Sequence, residues 1–269
     1  MTERVNALQV VGYVATNVGK VRQNNEDSAA FLRQAGARGE GVLSLAIVAD
    51  GMGGHQGGEV ASQIAAEVIP SSFFRSKEEP VEAIEKAFQL ANQEMQQAVE
   101  RDPRIKGMGT TAVAVAMEGD RAWCAWVGDS RIYHLREGRM HQISEDHTAV
   151  AELMRQGLLT PEQARNHPDR NVLIRALGTR SGVEVDFTRH PLALATGDRM
   201  LLCSDGLYDL LEDEEIEKIS SEGSLQEAGD ALIAMALERG GHDNVSVVLV
   251  ECVDELPEAA ITREVSAKC

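Results

Sequence analysis

The chain has 269 residues, of which 43% are hydrophobic and 26% charged. These are ordinary values for a folded protein with a large core, and they exclude disordered, collagen-like and coiled-coil classes. Asp and Glu number 43 against 26 Lys and Arg, and the net charge of −17 sets the chain against nucleic-acid backbones and anionic membrane surfaces. In chain order, Val10–Ala15 and Ala29–Leu32 are expected as short strands. Leu43–Ala49 is a continuous apolar run of strand length that should end at a loop, Asp50–Gly58, with five glycines. Glu59 opens a helix with Val60, Ile64 and Val68 on one stripe, and a second helix runs from about Pro80 to Glu100. Thr110–Met117 and Arg121–Val127 form a hairpin, as do Arg131–Leu135 and Met140–Ile143. Asp146–Thr179 breaks the strand pattern with two short helices around Leu159–Pro161. Strands resume near Val183–His190 and Arg199–Cys203. Helices follow at Asp213–Ser220 and Ser224–Arg239, then a last strand, Asn244–Cys252, and a polar tail expected to fray.

Hairpin-connected strands imply antiparallel sheets, and paired helices imply that each pair covers one sheet face. The expected class is α+β: a sandwich with outer helices. Cys124, Cys203 and Cys252 lie in apolar stretches. With Cys269 they form no CxxC pair, so they read as reduced thiols. The apolar runs, such as Leu45–Ala49, are too short to span a bilayer. Met1–Gly19 shows no leader pattern, and the chain is read as cytoplasmic.

The chemistry lies in short acidic motifs where apolar strands begin or end. These are Arg22-Gln-Asn-Asn-Glu26-Asp27, Asp50-Gly-Met-Gly-Gly-His55, Gly128-Asp129-Ser130-Arg131, Ser204-Asp205-Gly206 and Asp243-Asn244. One Asp-Gly after a strand is usually only a turn. A sandwich that gathers five such ends gathers carboxylates, which stay ionised together only around cations. Oxygen ligands without a His/Cys pattern favour Mg²⁺ or Mn²⁺. Gly51 lets the chain turn after Asp50 and offers its carbonyl. Arg22 is a natural fork for phosphate; a local salt bridge with Glu26 or Asp27 is its alternative. His141, His147, His167, His190 and His242 match no ligand spacing.

This ordered motif set resembles the metal-dependent serine/threonine protein phosphatases of the type 2C (PPM) family, compact bacterial branch, from about Tyr13 to Glu251. The resemblance implies two antiparallel sheets packed as a sandwich with a helix pair on each outer face (α-β-β-α). The phosphatase domain would be residues 1–253, with a flap at about 146–179 and a tail at 254–269. It implies a centre of two Mn²⁺ or Mg²⁺ ions and a weaker third. Asp50 would bridge two ions, Glu26 and the Gly51 carbonyl would complete one site, and Asp205 and Asp243 would hold the other. Asp129 with Asp205 would form the third. Arg22 would hold the phosphate and Asp27 would orient the attacking water. The implied reaction is in-line attack on phosphoserine or phosphothreonine by a metal-bridging hydroxide, without a phosphoenzyme. Where larger members carry a candidate general-acid His, this chain has Met52; His55 is the candidate in its place, or a cap for the following helix, with a metal-bound water as the alternative proton donor.

The implied partners are phosphorylated Ser/Thr proteins, among them a Ser/Thr kinase, with no nucleic acid, no membrane and a monomeric state. Arg155, Arg165, Arg170 and Arg175 of the flap are weighed as substrate contacts against a solvated face, which is favoured for each. Two other readings stay open: a silent phosphoprotein-binding module, and a two-metal hydrolase of small phosphate compounds with extra basic residues in an enclosed pocket.

Overall fold

The structure is a computed structural model and describes residues 8–35, 37, 42–53, 57–256 and 265–266. It begins with β1 (Gln9–Asn17), β2 (Asp27–Ala35) and β3 (Val42–Met52), then α1 (Gly57–Arg75) and α2 (Pro80–Arg101). Next come β4 (Gly109–Thr110), β5 (Ala112–Glu118), β6 (Arg121–Val127), β7 (Arg131–Arg136) and β8 (Arg139–Gln142). The segment expected as a flap carries α3 (Ala149–Arg155) and α4 (Pro161–Arg165). Short strands β9 (Asp186–Phe187) and β10 (Leu192–Ala193) precede β11 (Arg199–Cys203). The chain continues through α5 (Asp205–Tyr208), α6 (Asp213–Ser221), α7 (Leu225–Glu238), β12 (Val245–Val253) and β13 (Val265–Ser266).

Every strand pairing described is antiparallel. One sheet has the order β1-β12-β11-β7-β8 and the other β10-β6-β5-β3-β2-β13. The central strands β3 and β12 are buried along most of their length, covered on both faces, which is why they read as largely apolar runs. On β3, Ala46 and Val48 face the inter-sheet core with Val113, Val115, Met200, Leu202, Val248 and Val250. Leu45, Ile47 and Ala49 face the helix pair α1–α2, packing with Ile69, Phe73, Phe88 and Met95. On the other outer face, Leu201, Val247 and Leu249 pack beneath α6–α7 with Ile216 and Leu232. The expected sandwich with its outer helix pairs is therefore the fold observed.

Several boundaries differ from expectation for local reasons. β3 runs on to Met52 because β4 gives Gly51 and Met52 partners at Thr110 and Gly109. Asp50 therefore sits on a strand, not in a loop. Helix α1 begins at Gly57, two residues before Glu59. Asp205 opens a short helix that sequence periodicity did not show, with Ser204 at its N-cap position but its hydroxyl turned to Asp27. The tail was expected to fray, but Val265 and Ser266 pair with Phe31 and Ala30 of β2; most of the rest of the tail, Cys269 included, lies outside the described residues. Cys124, Cys203 and Cys252 are buried free thiols. Among the described residues, no helix is long and apolar enough to cross a membrane.

Candidate metal and phosphate site

Register brings the acidic motifs to one end of the sandwich. Asp27 and Asp50 are cross-strand partners on β2 and β3. Asp129 follows β6, Asp205 follows β11, and Asp243 lies two residues before β12, which pairs with both β1 and β11. The result is a cleft of about 390 Å³ lined by Arg22, Glu26, Asp50, Gly51, Asp129, Asp205 and Asp243 among others. Asp27 lies behind it rather than on its wall. His55 lies outside the described residues.

Polar contacts fix these groups from behind. Asn244 ties three loop segments together. Its Oδ1 accepts the Glu26 N–H at 2.7 Å, and its Nδ2 donates to the carbonyls of Val18 and Asn24 at 2.9 and 3.0 Å. Ser204 donates its hydroxyl to Asp27 Oδ2 at 2.7 Å and accepts the Ser246 N–H at 3.0 Å, joining the two sheets. Thr111 Oγ1 accepts the Asp50 N–H at 3.0 Å. Arg22 does not form the local pair considered above. Its Nη2 donates to Asp243 Oδ2 at 2.6 Å, across 221 positions of sequence.

The carboxylates are held where they repel one another. Burial, then the charges of Asp27, Asp205, Asp129 and Asp243, drive the Asp50 pKa well up. Burial does the same to Asp205, with Asp129 and Asp243 adding to it. Asp129 is pushed up to about 7, by burial first and then by Asp146. Asp27 is pushed up to about 6 by burial, against the opposing hydrogen bonds of Ser204 and Ser246. Two buried oxygens, Asp27 Oδ1 and Asp205 Oδ1, have no hydrogen-bond partner. Stranded buried carboxylate oxygens and mutual repulsion are the signature of a site completed by cations.

The donor set is all oxygen, which suits hard divalent ions. Backbone crowding fits as well. A Cβ at Gly58 would lie 2.5 Å from Glu26 Oε2, and one at Gly51 would lie 2.2 Å from the Gly58 carbonyl. Both glycines are needed for the chain to pass this close to Glu26. Among the described residues, no three His, Cys, Asp or Glu side chains gather closely enough to hold one ion alone. An ion here would complete its shell with carbonyl oxygen and water, as small hard cations do.

A match to the protein phosphatase 2C family model spans residues 19–248. The chain belongs to the protein phosphatase 2C family. It is 39% identical over 242 residues to the serine/threonine phosphatase stp of Listeria innocua, covering 88% of this chain and 93% of that one. It is 41% identical over 250 residues to the serine/threonine protein phosphatase PstP of Mycobacterium tuberculosis, covering 91% of this chain and 46% of the relative's length. The crystal structure of M. tuberculosis PstP superposes with a TM-score of 0.81 at 37% identity, covering 90% of this chain and 98% of that one. A PstP catalytic domain in complex with two manganese ions gives 0.80 at 36% identity, covering 91% and 99%.

Some of the site was not visible in the motifs. Thr111 and Ser204 carry hydroxyls that hold Asp50 and Asp27, but one lies between the short β4 and β5 and the other beside an Asp, with no spacing signal of its own. Asn171 and Leu173 wall the cleft from the flap. They could have been found only from the position of their segment. The flap arginines pair with carboxylates of this chain: Arg155 with Glu152, Arg165 with Glu212, Arg170 with Asp209 and Arg175 with Asp186. That supports the solvated-face reading for them.

Proposed function

We infer that this chain is a metal-dependent phosphatase of phosphoserine and phosphothreonine in proteins, and that the acidic cleft is its catalytic centre. The observation that carries the reading is the convergence of Glu26, Asp50, Asp129, Asp205 and Asp243 around one cleft whose only lining cation, among the described residues, is Arg22. Family membership gives that convergence its chemistry. In this reading Asp50, with Glu26 and the Gly51 carbonyl on one side and Asp205 and Asp243 on the other, would hold two Mn²⁺ or Mg²⁺ ions. Asp129 with Asp205 would hold a weaker third. Such ions supply an acidified water and relieve charge on the phosphoryl oxygens.

The protein's own groups do the rest. Arg22 is half exposed at the mouth and leaves Asp243 to fork onto two phosphoryl oxygens, aligning phosphorus for in-line attack. Asp27, held behind the cleft by Ser204 with Oδ1 unpartnered, would orient the attacking water. Met52 lines the cleft and has no proton to give, so His55 is the proposed donor to the seryl or threonyl oxygen. No side-chain nucleophile is needed, and the buried thiols have pKa values pushed up to about 12 by burial. The substrates are phosphoproteins opposed by a Ser/Thr kinase, and the protein acts as a cytoplasmic monomer with residues 1–253 as one catalytic unit. A small-molecule phosphate would call for further cations in the cleft, and a silent binding module would not need the carboxylates. Phosphate release from a phosphothreonine peptide by metal-stripped protein tests the reading. Turnover should appear with Mn²⁺ and vanish in Asp50→Asn; no turnover by the wild-type chain with Mn²⁺ would sink it.

A further inference from the structure

His147 matches no ligand spacing, yet contacts from three parts of the chain meet on it. The residue is 5% exposed. Its Nδ1 accepts the Gly128 N–H at 3.1 Å, and its own backbone N–H donates to the Gly128 carbonyl at 2.9 Å. With Nδ1 accepting, the neutral ring carries its proton on Nε2. That nitrogen faces Asp186 Oδ2 at 3.2 Å, and Arg175 Nη1 donates to Asp186 Oδ1 at 2.8 Å. The His147 carbonyl accepts the Ile174 N–H at 2.9 Å, next to the cleft-wall residue Leu173.

The preceding residue, Asp146, takes the Arg131 guanidinium on Nε and Nη2, at 3.1 and 2.7 Å. Asp146 and His147 therefore grip Gly128–Arg131 at both ends, with Asp129 between them. The far side of the turn is pinned as well. Gly128 has φ +102°, and a Cβ there would lie 2.6 Å from the Thr111 side chain. Thr111 Oγ1 lies 2.7 Å from Ser130 Oγ and also holds the Asp50 N–H. The Tyr208 hydroxyl donates to the Asp129 carbonyl at 3.0 Å.

We propose that His147 is a positioning residue: through Gly128 it sets the turn that carries Asp129, and through Ile174 and Asp186 it seats the segment around Leu173 that walls the cleft. Its catalytic consequence rests on the phosphatase reading; its geometry does not. The ring has two separable duties. An acceptor at the δ position satisfies the buried Gly128 N–H, and a donor at the ε position meets Asp186. Asn places an oxygen where Nδ1 stands, whereas Gln reaches toward Nε2 and leaves Gly128 unpaired. The two variants are both polar and close in size, so packing alone would affect them alike.

The test uses the full chain, with Mn²⁺ binding by calorimetry and amide hydrogen exchange as readouts that need no turnover. His147→Gln should speed exchange at Gly128–Ser130 and weaken the weakest Mn²⁺ step, each by about tenfold, the order expected for one unsatisfied buried donor. His147→Asn should keep both near wild type and speed exchange at Ile174 instead. If His147→Gln does not fold, Asp186→Asn on the half-exposed far side should speed exchange at Ile174 and at Gly128 together, by less. Equal effects of Asn and Gln, unchanged Mn²⁺ binding despite a loosened Gly128 turn, or no response to Asp186→Asn would overturn the proposal. A wild-type chain without phosphatase turnover would sink the phosphatase reading but leave these two readouts to decide this one.

Discussion

The same strands behave differently along their length. In the middle of the sandwich, β3, β11 and β12 contribute Ile47, Leu202 and Val248, all fully buried among apolar neighbours. At one end, those strands and their neighbours deliver Asp27, Asp50, Asp205 and Asp243. There burial and repulsion raise the pKa values of Asp27, Asp50 and Asp205, and Asp27 Oδ1 and Asp205 Oδ1 find no partner. The core is self-sufficient and the acidic end is not. The core therefore sets stability, while the end trades stability for a site that needs cations.

That contrast can be broken first at the end. Arg22→Lys keeps the charge but loses the planar fork, and kcat/KM on a phosphopeptide should fall by roughly a hundredfold while thermal stability barely moves. Steady-state kinetics alongside a melting curve reads this directly. The reverse experiment is Phe88→Ala, at a fully buried position on α2, facing the sheet. It should cost about 3–5 kcal/mol in denaturant unfolding, with kcat of the folded fraction unchanged. A matching fall in kcat would mean that the core and the site are not separable.

A smaller effect sharpens the boundary between them. Burial lowers the His147 pKa, against the opposing pull of Asp186 and with Arg175 and Asp146 also facing the ring. An unfolded His binds its proton near pH 6.5, so the unfolded state is protonated first as pH falls. The contribution of His147 is therefore complete above about pH 6.5 and is lost as pH drops through its lower folded value. Unfolding followed from pH 7.5 to 5.5 should show this slope, and His147→Gln should flatten it.

The parts visible in the sequence were those with a period or a motif. The apolar runs at Leu43–Ala49 and Asn244–Cys252 marked the strands that are covered on both faces. The ordered motifs from Arg22 to Asn244 marked the cleft, because each acidic residue sits where a strand turns at the same end. What stayed hidden depends on contacts distant in sequence. The Arg22–Asp243 pair spans 221 positions, and no local pattern separates it from a bridge to Glu26. Ser204 and Thr111 act through single hydroxyls that leave no pattern. The continuation of β3 through Asp50 depends on the two-residue partner Gly109–Thr110, too short to announce itself.

The central claim is that the carboxylate end is strained without cations. Raised carboxylate pKa values mean that the folded state holds those protons longer than the unfolded chain does. Metal-free stability should therefore fall as pH rises through about 6 for Asp27 and about 7 for Asp129. The most direct measurement is thermal unfolding at pH 8 of metal-stripped wild type and Asp205→Asn, each with and without Mn²⁺. The account predicts that without metal Asp205→Asn melts at or above the wild type, because one repelling charge is gone. It also predicts that Mn²⁺ raises the wild-type Tm but moves the variant much less. An Asp205→Asn protein that melts well below wild type without metal, yet keeps the full Mn²⁺ shift, would contradict it.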